Sequence, residues 1–145
     1  MGEVRRSTRI IGTRGEVTVD AVMDTGSITT IIPPSIARKI GIRSPGLGTR
    51  TLADGSVVKV TTGTVYSIEI AGKSTVDMVG AYHSIAVMQT EQDEVLVGLT
   101  TLESLGLGVD PSSGTLIDHG PLLRASGRVR RIVITRNPLA GGSSR

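Results

Sequence analysis

The chain has no cysteine, no phenylalanine and no tryptophan, and its only aromatic rings besides two histidines are Tyr66 and Tyr82. Without cysteine there are no disulfides, no thiolate zinc sites and no cysteine nucleophile. Without aromatic platforms there is almost nothing to stack on unpaired nucleic-acid bases. The core must then be built from Val, Ile, Leu, Ala and Met. Such a core is small in a 145-residue chain, and association of copies is a common remedy. No run approaches the ~18 apolar residues of a membrane helix. Arg5, Arg6 and Arg9 are not followed by the apolar stretch of a secretory signal. Gly2 lacks the hydroxyl residue that myristoylation needs four positions on, because Arg6 stands there and Ser7 comes one later. These absences lead us to expect a cytoplasmic chain.

Charge is unevenly placed. All thirteen acids lie at or before Asp118, so residues 1–123, with ten Lys or Arg, balance to −3. Residues 124–145 hold six Arg and no acid, a balance of +6. The net +3 is therefore a property of the tail. We divide the chain into a folded domain, 1–123, and an Arg-rich C-terminal strand (Val129 to Thr135) with a flexible tail, 124–145. Arg124, Arg128, Arg130, Arg131 and Arg136 read as a solvated, aggregation-resistant edge, in preference to a nucleic-acid or lipid contact.

Nineteen glycines punctuate short segments rich in Val, Ile and Thr, the signature of a mainly β domain. Gly15 to Met23 alternates as a strand, and Ile28 to Ile32 is a second. Pro33-Pro34 leads into a short helix, Ser35 to Ile40, stopped by Gly41. Arg50 to Ala53 and Ser56 to Ile70 read as strands joined at Asp54-Gly55, a strong hairpin signal. Further strands are expected over Ser74 to Ala81, Ile85 to Gln89 and Glu94 to Val97. A second short helix spans Thr100 to Leu105, and Gly108 to Pro111 pairs with Thr115 to Asp118. A faint repeat relates Ala21-Val22-Met23 before Asp24 to Val95-Leu96-Val97 before Gly98. Each is followed by a turn and a helix ending in glycine.

The segment that carries chemistry is Val22-Met23-Asp24-Thr25-Gly26-Ser27, an apolar strand followed at once by an acid, a hydroxyl, a glycine and a second hydroxyl. An acid at the end of a buried strand needs a partner or a task, since burying an unpaired charge is costly. The plain alternative is an Asx turn. With the later Val95-Leu96-Val97-Gly98 and its helix, the order of parts over about residues 10–120 resembles the retropepsin-like aspartic proteases. That resemblance implies a closed, barrel-like acid-protease fold with one or two short helices. It also implies an endopeptidase, active as a homodimer on peptide or protein substrates, with no metal or cofactor. Asp24 would be the catalytic acid, one from each chain. Thr25 would lock the two loops across the dimer axis, and Gly26 would admit the substrate backbone. Ala53, Asp54, Gly55, Ser56 and Val57 would form the flap tip, and Gly98 would pack closely behind the catalytic loop. Many viral members carry an Arg after this glycine, where this chain has Leu99.

Some finer expectations come from the residues themselves. The Ser27 hydroxyl could donate to an ionised Asp24 and lower its pKa. Pocket walls would come from the flap and from residues such as Ile28, Val57, Val79, Ile85 and Val87. Family dimers are held by terminal strands, for which Val129 to Thr135 and Thr8 to Ile11 are the candidates. His83 and His119 have no companions at metal-ligand spacing. Two other classes compete: a catalytically silent dimerisation or peptide-binding module of the same fold, and a nucleic-acid-binding protein driven by the Arg tail. An intact Asp-Thr-Gly weighs against the first, and the acidic body against the second.

Overall fold

The computed structural model describes residues 3–120. The expected terminal strand over 129–135 and the division at residue 123 lie outside them. The described chain is mainly β, as its composition predicts. The strands are β1 (Arg5–Ile11), β2 (Glu16–Met23), β3 (Ile31–Ile32), β4 (Arg43–Thr51), β5 (Val57–Val65), β6 (Ser67–Ile70), β7 (Lys73–Ser74), β8 (His83–Val87), β9 (Leu96–Val97), β10 (Leu107–Asp110) and β11 (Thr115–Asp118). The helices are α1 (Pro34–Ile40), α2 (Thr75–Val79) and α3 (Leu99–Ser104), and a 3-10 turn covers Glu91–Asp93. Nine strands form one sheet in the order β4-β5-β8-β3-β9-β2-β1-β6-β7, and β10 pairs with β11 separately.

The sequence pattern explains the main elements. In β1, Thr8 and Ile10 are fully buried while Arg9 and Ile11 are only partly so, a two-residue alternation, and the preceding Arg5, Arg6 and Ser7 are all exposed. Ile10 sits opposite Val17 of β2 on one side and Ile68 of β6 on the other. Both edges of Thr8 to Ile11 are thus occupied by strands of the same chain, so this segment has no free edge to offer a second copy. Helix α1 starts at Pro34, whose missing N–H costs nothing there, and ends at Gly41 with φ 78°. The aliphatic core gathers Ile10, Ile32, Ile40, Ile68, Ile85, Val97, Leu102 and Leu105 between sheet and helices.

Four elements depart most from the expected ones, beyond shifts of one or two residues at other ends. The strand at Ile28 to Ile32 shrinks to Ile31–Ile32, because the carbonyls of Ser27 and Ile28 accept from Leu99 and Thr100 in place of a ladder partner. The long strand Ser56 to Ile70 breaks at Tyr66, where the chain leaves β8 and its N–H bonds Ile11. Strand β4 reaches back to Arg43, through Ser44-Pro45-Gly46, by way of a register shift. A proline is tolerated because β4 is the outermost strand. Ser74 to Ala81 is not a strand: Ser74 caps helix α2 by accepting from Val76 N–H. The fully buried Thr75 hydroxyl then accepts from Ile68 N–H at 3.0 Å, tying α2 to β6.

Candidate active site

The repeated segments meet at the centre of the sheet. β2 and β9 run parallel, with Val22 beside Leu96 and Met23 beside Val97. Asp24 leaves the end of β2 with its N–H donated to Val97 at 2.8 Å. Val22, Met23 and Val97 are buried, and Asp24 is half-buried at the mouth of a cleft. Its Oδ1 accepts from Gly26 N–H at 3.0 Å, and its carbonyl accepts from Ser27 N–H at 3.1 Å. The Asx turn and the chemical reading are therefore compatible. One carboxylate oxygen holds the turn, and Oδ2 has no partner among the described residues. Thr25 and Gly26 are exposed, and the neighbouring Ile28 is 70% exposed.

Ser27 does not act on Asp24 as expected. It is buried, and its hydroxyl donates to Thr29 O at 2.7 Å while accepting from Arg50 Nη1 at 3.2 Å. A hydroxyl satisfied in this way has no proton left for the carboxylate, so the expected bond from Ser27 to Asp24 is not made.

Gly98 lies against the loop after Asp24. A Cβ there would come within 2.5 Å of the Thr29 carbonyl carbon and 2.9 Å of Ile28 O. Gly98 N–H donates to Thr30 Oγ1 at 2.9 Å, Thr30 and Thr101 hydroxyls are 2.6 Å apart, and His83 Nε2 is 2.8 Å from Thr101 Oγ1. All three side chains are buried. Burial pushes the His83 pKa down. Sequence reasoning left this chain out, since residues 30, 83, 98 and 101 converge only in space.

Ala53 to Val57 form the exposed end of the β4–β5 hairpin. Leu52 N–H bonds Ser56 O at 2.8 Å, Gly55 takes φ 88°, and Asp54 Oδ1 accepts from the Ser56 N–H and hydroxyl at 2.9 and 2.6 Å. The hydroxyl bond, before the amide one, holds the Asp54 carboxyl below the usual carboxylate range. Asp54 thus shapes the turn. What the hairpin presents to the cleft is Arg50 and Leu52.

The cleft encloses about 500 Å³. Its apolar walls are Met23, Ile31, Leu52, Met88, Leu96 and Val109, and its charged lining is Asp24, Arg50, Glu3, Glu91 and Glu94. The five residues expected as walls are elsewhere: Ile85 is in the core, Val87 packs on it, and Ile28, Val57 and Val79 are exposed outside this cleft. Alternation says which face of a strand is apolar, but not which face the cleft is on. Arg5 bonds both Glu3 and Glu94, so those two carboxylates are already paired. His83 faces the core and His119 lies beside Gly108. No group of three metal-ligating side chains occurs among the described residues.

A family model described as gag-polyprotein putative aspartyl protease matches residues 11–104. No curated protein matches the chain.

Proposed function

Because the chain belongs to the gag-polyprotein, retropepsin-like aspartyl protease family, we propose that it is an endopeptidase whose catalytic pair is Asp24 from each of two copies. The observation that carries this reading is the placement of Asp24. It is a half-buried carboxylate at the end of a buried strand, in a cleft beneath a hairpin, with no cation paired to it among the described residues. A carboxylate needed only for the turn could sit on any exposed loop, with no cleft around it.

In the pair, two carboxyls close together cannot both ionise easily, so they share a proton. The ionised one takes a proton from water as the water attacks the peptide carbonyl, and the protonated one donates to the carbonyl oxygen. The Gly26 N–H on Oδ1 orients each carboxyl. Thr25 and Ile28, exposed beside Asp24, are the surfaces on which the second copy closes. The β4–β5 hairpin serves as the flap, covering the substrate with Leu52 and Arg50. The aliphatic cleft walls favour apolar side chains next to the cut bond.

The test is cleavage of a peptide library between about pH 3 and pH 7, wild type beside Asp24→Asn, with the oligomeric state read by sedimentation. Asn keeps the shape and the bond from Gly26 but cannot ionise. We expect cleavage to fall by at least about 10³-fold with the dimer intact, the scale of losing a general acid–base group. Cleavage surviving in Asp24→Asn would refute the mechanism. A wild-type dimer that cleaves nothing would favour a peptide-binding module.

A further inference from the structure

The cleft holds a cation that the chemistry above does not use. Arg50, on the hairpin strand β4, is half-buried and lines the same cleft as Asp24. Its one described bond goes to a neutral acceptor, the buried Ser27 hydroxyl, at 3.2 Å. None of the cleft carboxylates pairs with it: Glu3 and Glu94 are held by Arg5, Asp24 Oδ1 holds Gly26, and no ion pair joins Arg50 to Glu91 or to any other described acid. A guanidinium carries five donors in a rigid fork that matches a carboxylate. Keeping it partly out of water with a single hydroxyl partner leaves most of that capacity open. Ser27, anchored in turn on Thr29 O, fixes where the fork points.

Resting on the peptidase reading, we propose that Arg50 forms a subsite for a carboxylate of the substrate, beside the apolar walls that hold its neighbours. The carboxylate could belong to an internal Asp or Glu side chain or to a free peptide C-terminus. The shared chemistry is a planar anion accepting two N–H bonds from Arg50. Of the other charged groups in the lining, Glu3 and Glu94 share Arg5, which leaves Arg50 as the cation open to such a peptide.

The experiment compares matched peptides that differ only as Glu or Gln at each position around the cut bond, with acetylated and amidated ends. A parallel set has free C-termini. Wild type, Arg50→Gln and Arg50→Lys are read as ratios of kcat/KM within each enzyme. We expect wild type to favour Glu at one position by about tenfold or more, the scale of a charge-assisted bond. The ratio falls to about one in Arg50→Gln and is partly kept in Arg50→Lys. A preference confined to free C-termini would assign the subsite to a chain end. No preference in either set, or one that persists in Arg50→Gln, would overturn the proposal. Affinity of the same peptides for Asp24→Asn is measured by fluorescence anisotropy. Binding that favours carboxylate peptides without cleavage by wild type would keep the Arg50 subsite and refute the peptidase reading instead.

Discussion

Gly98 N–H, Thr30, Thr101 and His83 form a buried line of hydrogen bonds directly behind the loop that carries Asp24. One assignment uses each donor of the line once: Gly98 N–H to Thr30, the Thr30 hydroxyl to Thr101, and the Thr101 hydroxyl to an unprotonated His83 Nε2. Protonating Nε2 reverses the last step and leaves the Thr101 hydroxyl proton, in a buried site, without an acceptor. That agrees with the downward push of burial on the His83 pKa. The sign of the linkage follows. As pH falls below the ordinary histidine value of 6.5, the unfolded chain takes up a proton that the folded chain refuses, and stability drops until the folded pKa is reached. Above it both forms are neutral and the effect vanishes. Glutamine at 83 offers a carbonyl near the Nε2 position and never titrates. Urea midpoints of wild type should therefore fall more between about pH 7.5 and pH 5.5 than those of His83→Gln. Parallel curves for the two proteins would show that the imidazole stays unlinked to folding.

At the scale of elements, one buried hydroxyl ties the helix α2 to β6. Thr75 Oγ1 is the acceptor for Ile68 N–H, and both residues are fully buried. Thr75→Val keeps the shape and removes the acceptor, leaving an orphaned amide in the core. We expect a loss of about 1–3 kcal/mol, read from urea unfolding at constant m-value. A change under about 0.5 kcal/mol would mean that another group or a water takes the amide. This element is also where alternation misleads. Ser74-Thr75-Val76-Asp77-Met78-Val79 alternates as a strand would. It folds as a helix because Ser74 caps it and Ile68 needs the Thr75 hydroxyl, and the second reason lies seven residues back and across a turn. Strand β4 misleads in the opposite way. Pro45 and Gly46 read as breakers, yet the strand runs through them because its outer edge owes no hydrogen bonds.

At the scale of the whole molecule, one Asp-Thr-Gly per chain makes the proposed chemistry depend on two copies. Ile28, 70% exposed, and Thr25, also exposed, lie close in sequence to Asp24, the carboxyl of the proposed pair. Ile28→Asp puts a charge in that contact without touching the core. Folding free energy at the urea midpoint should change by less than about 0.5 kcal/mol. Dimer affinity should weaken at least about tenfold, and peptide cleavage should show a steeper dependence on protein concentration than in wild type. Sedimentation and activity titrations check both. An unchanged dimer would place the interface elsewhere, on the β10–β11 hairpin or on residues outside 3–120.

What this sequence determined alone was local. Its aliphatic, glycine-punctuated composition required a mainly β fold. Asp24 after an apolar strand, with Gly98 after its repeat, marked the family and the candidate site, because those constraints lie within a few consecutive residues. Helix α1 and the Asp54-Gly55 hairpin were legible for the same reason. Tertiary structure decided the rest. It turned Ser27 away from Asp24 toward Thr29, set Arg50 and Leu52 rather than the tip residues over the cleft, and replaced every expected wall. It also joined His83 to Gly98 through two threonines. Each of these is a contact between residues far apart in the chain. Side-chain direction there is set by which strands become neighbours, and a period of two cannot distinguish the cleft from the core when both are apolar.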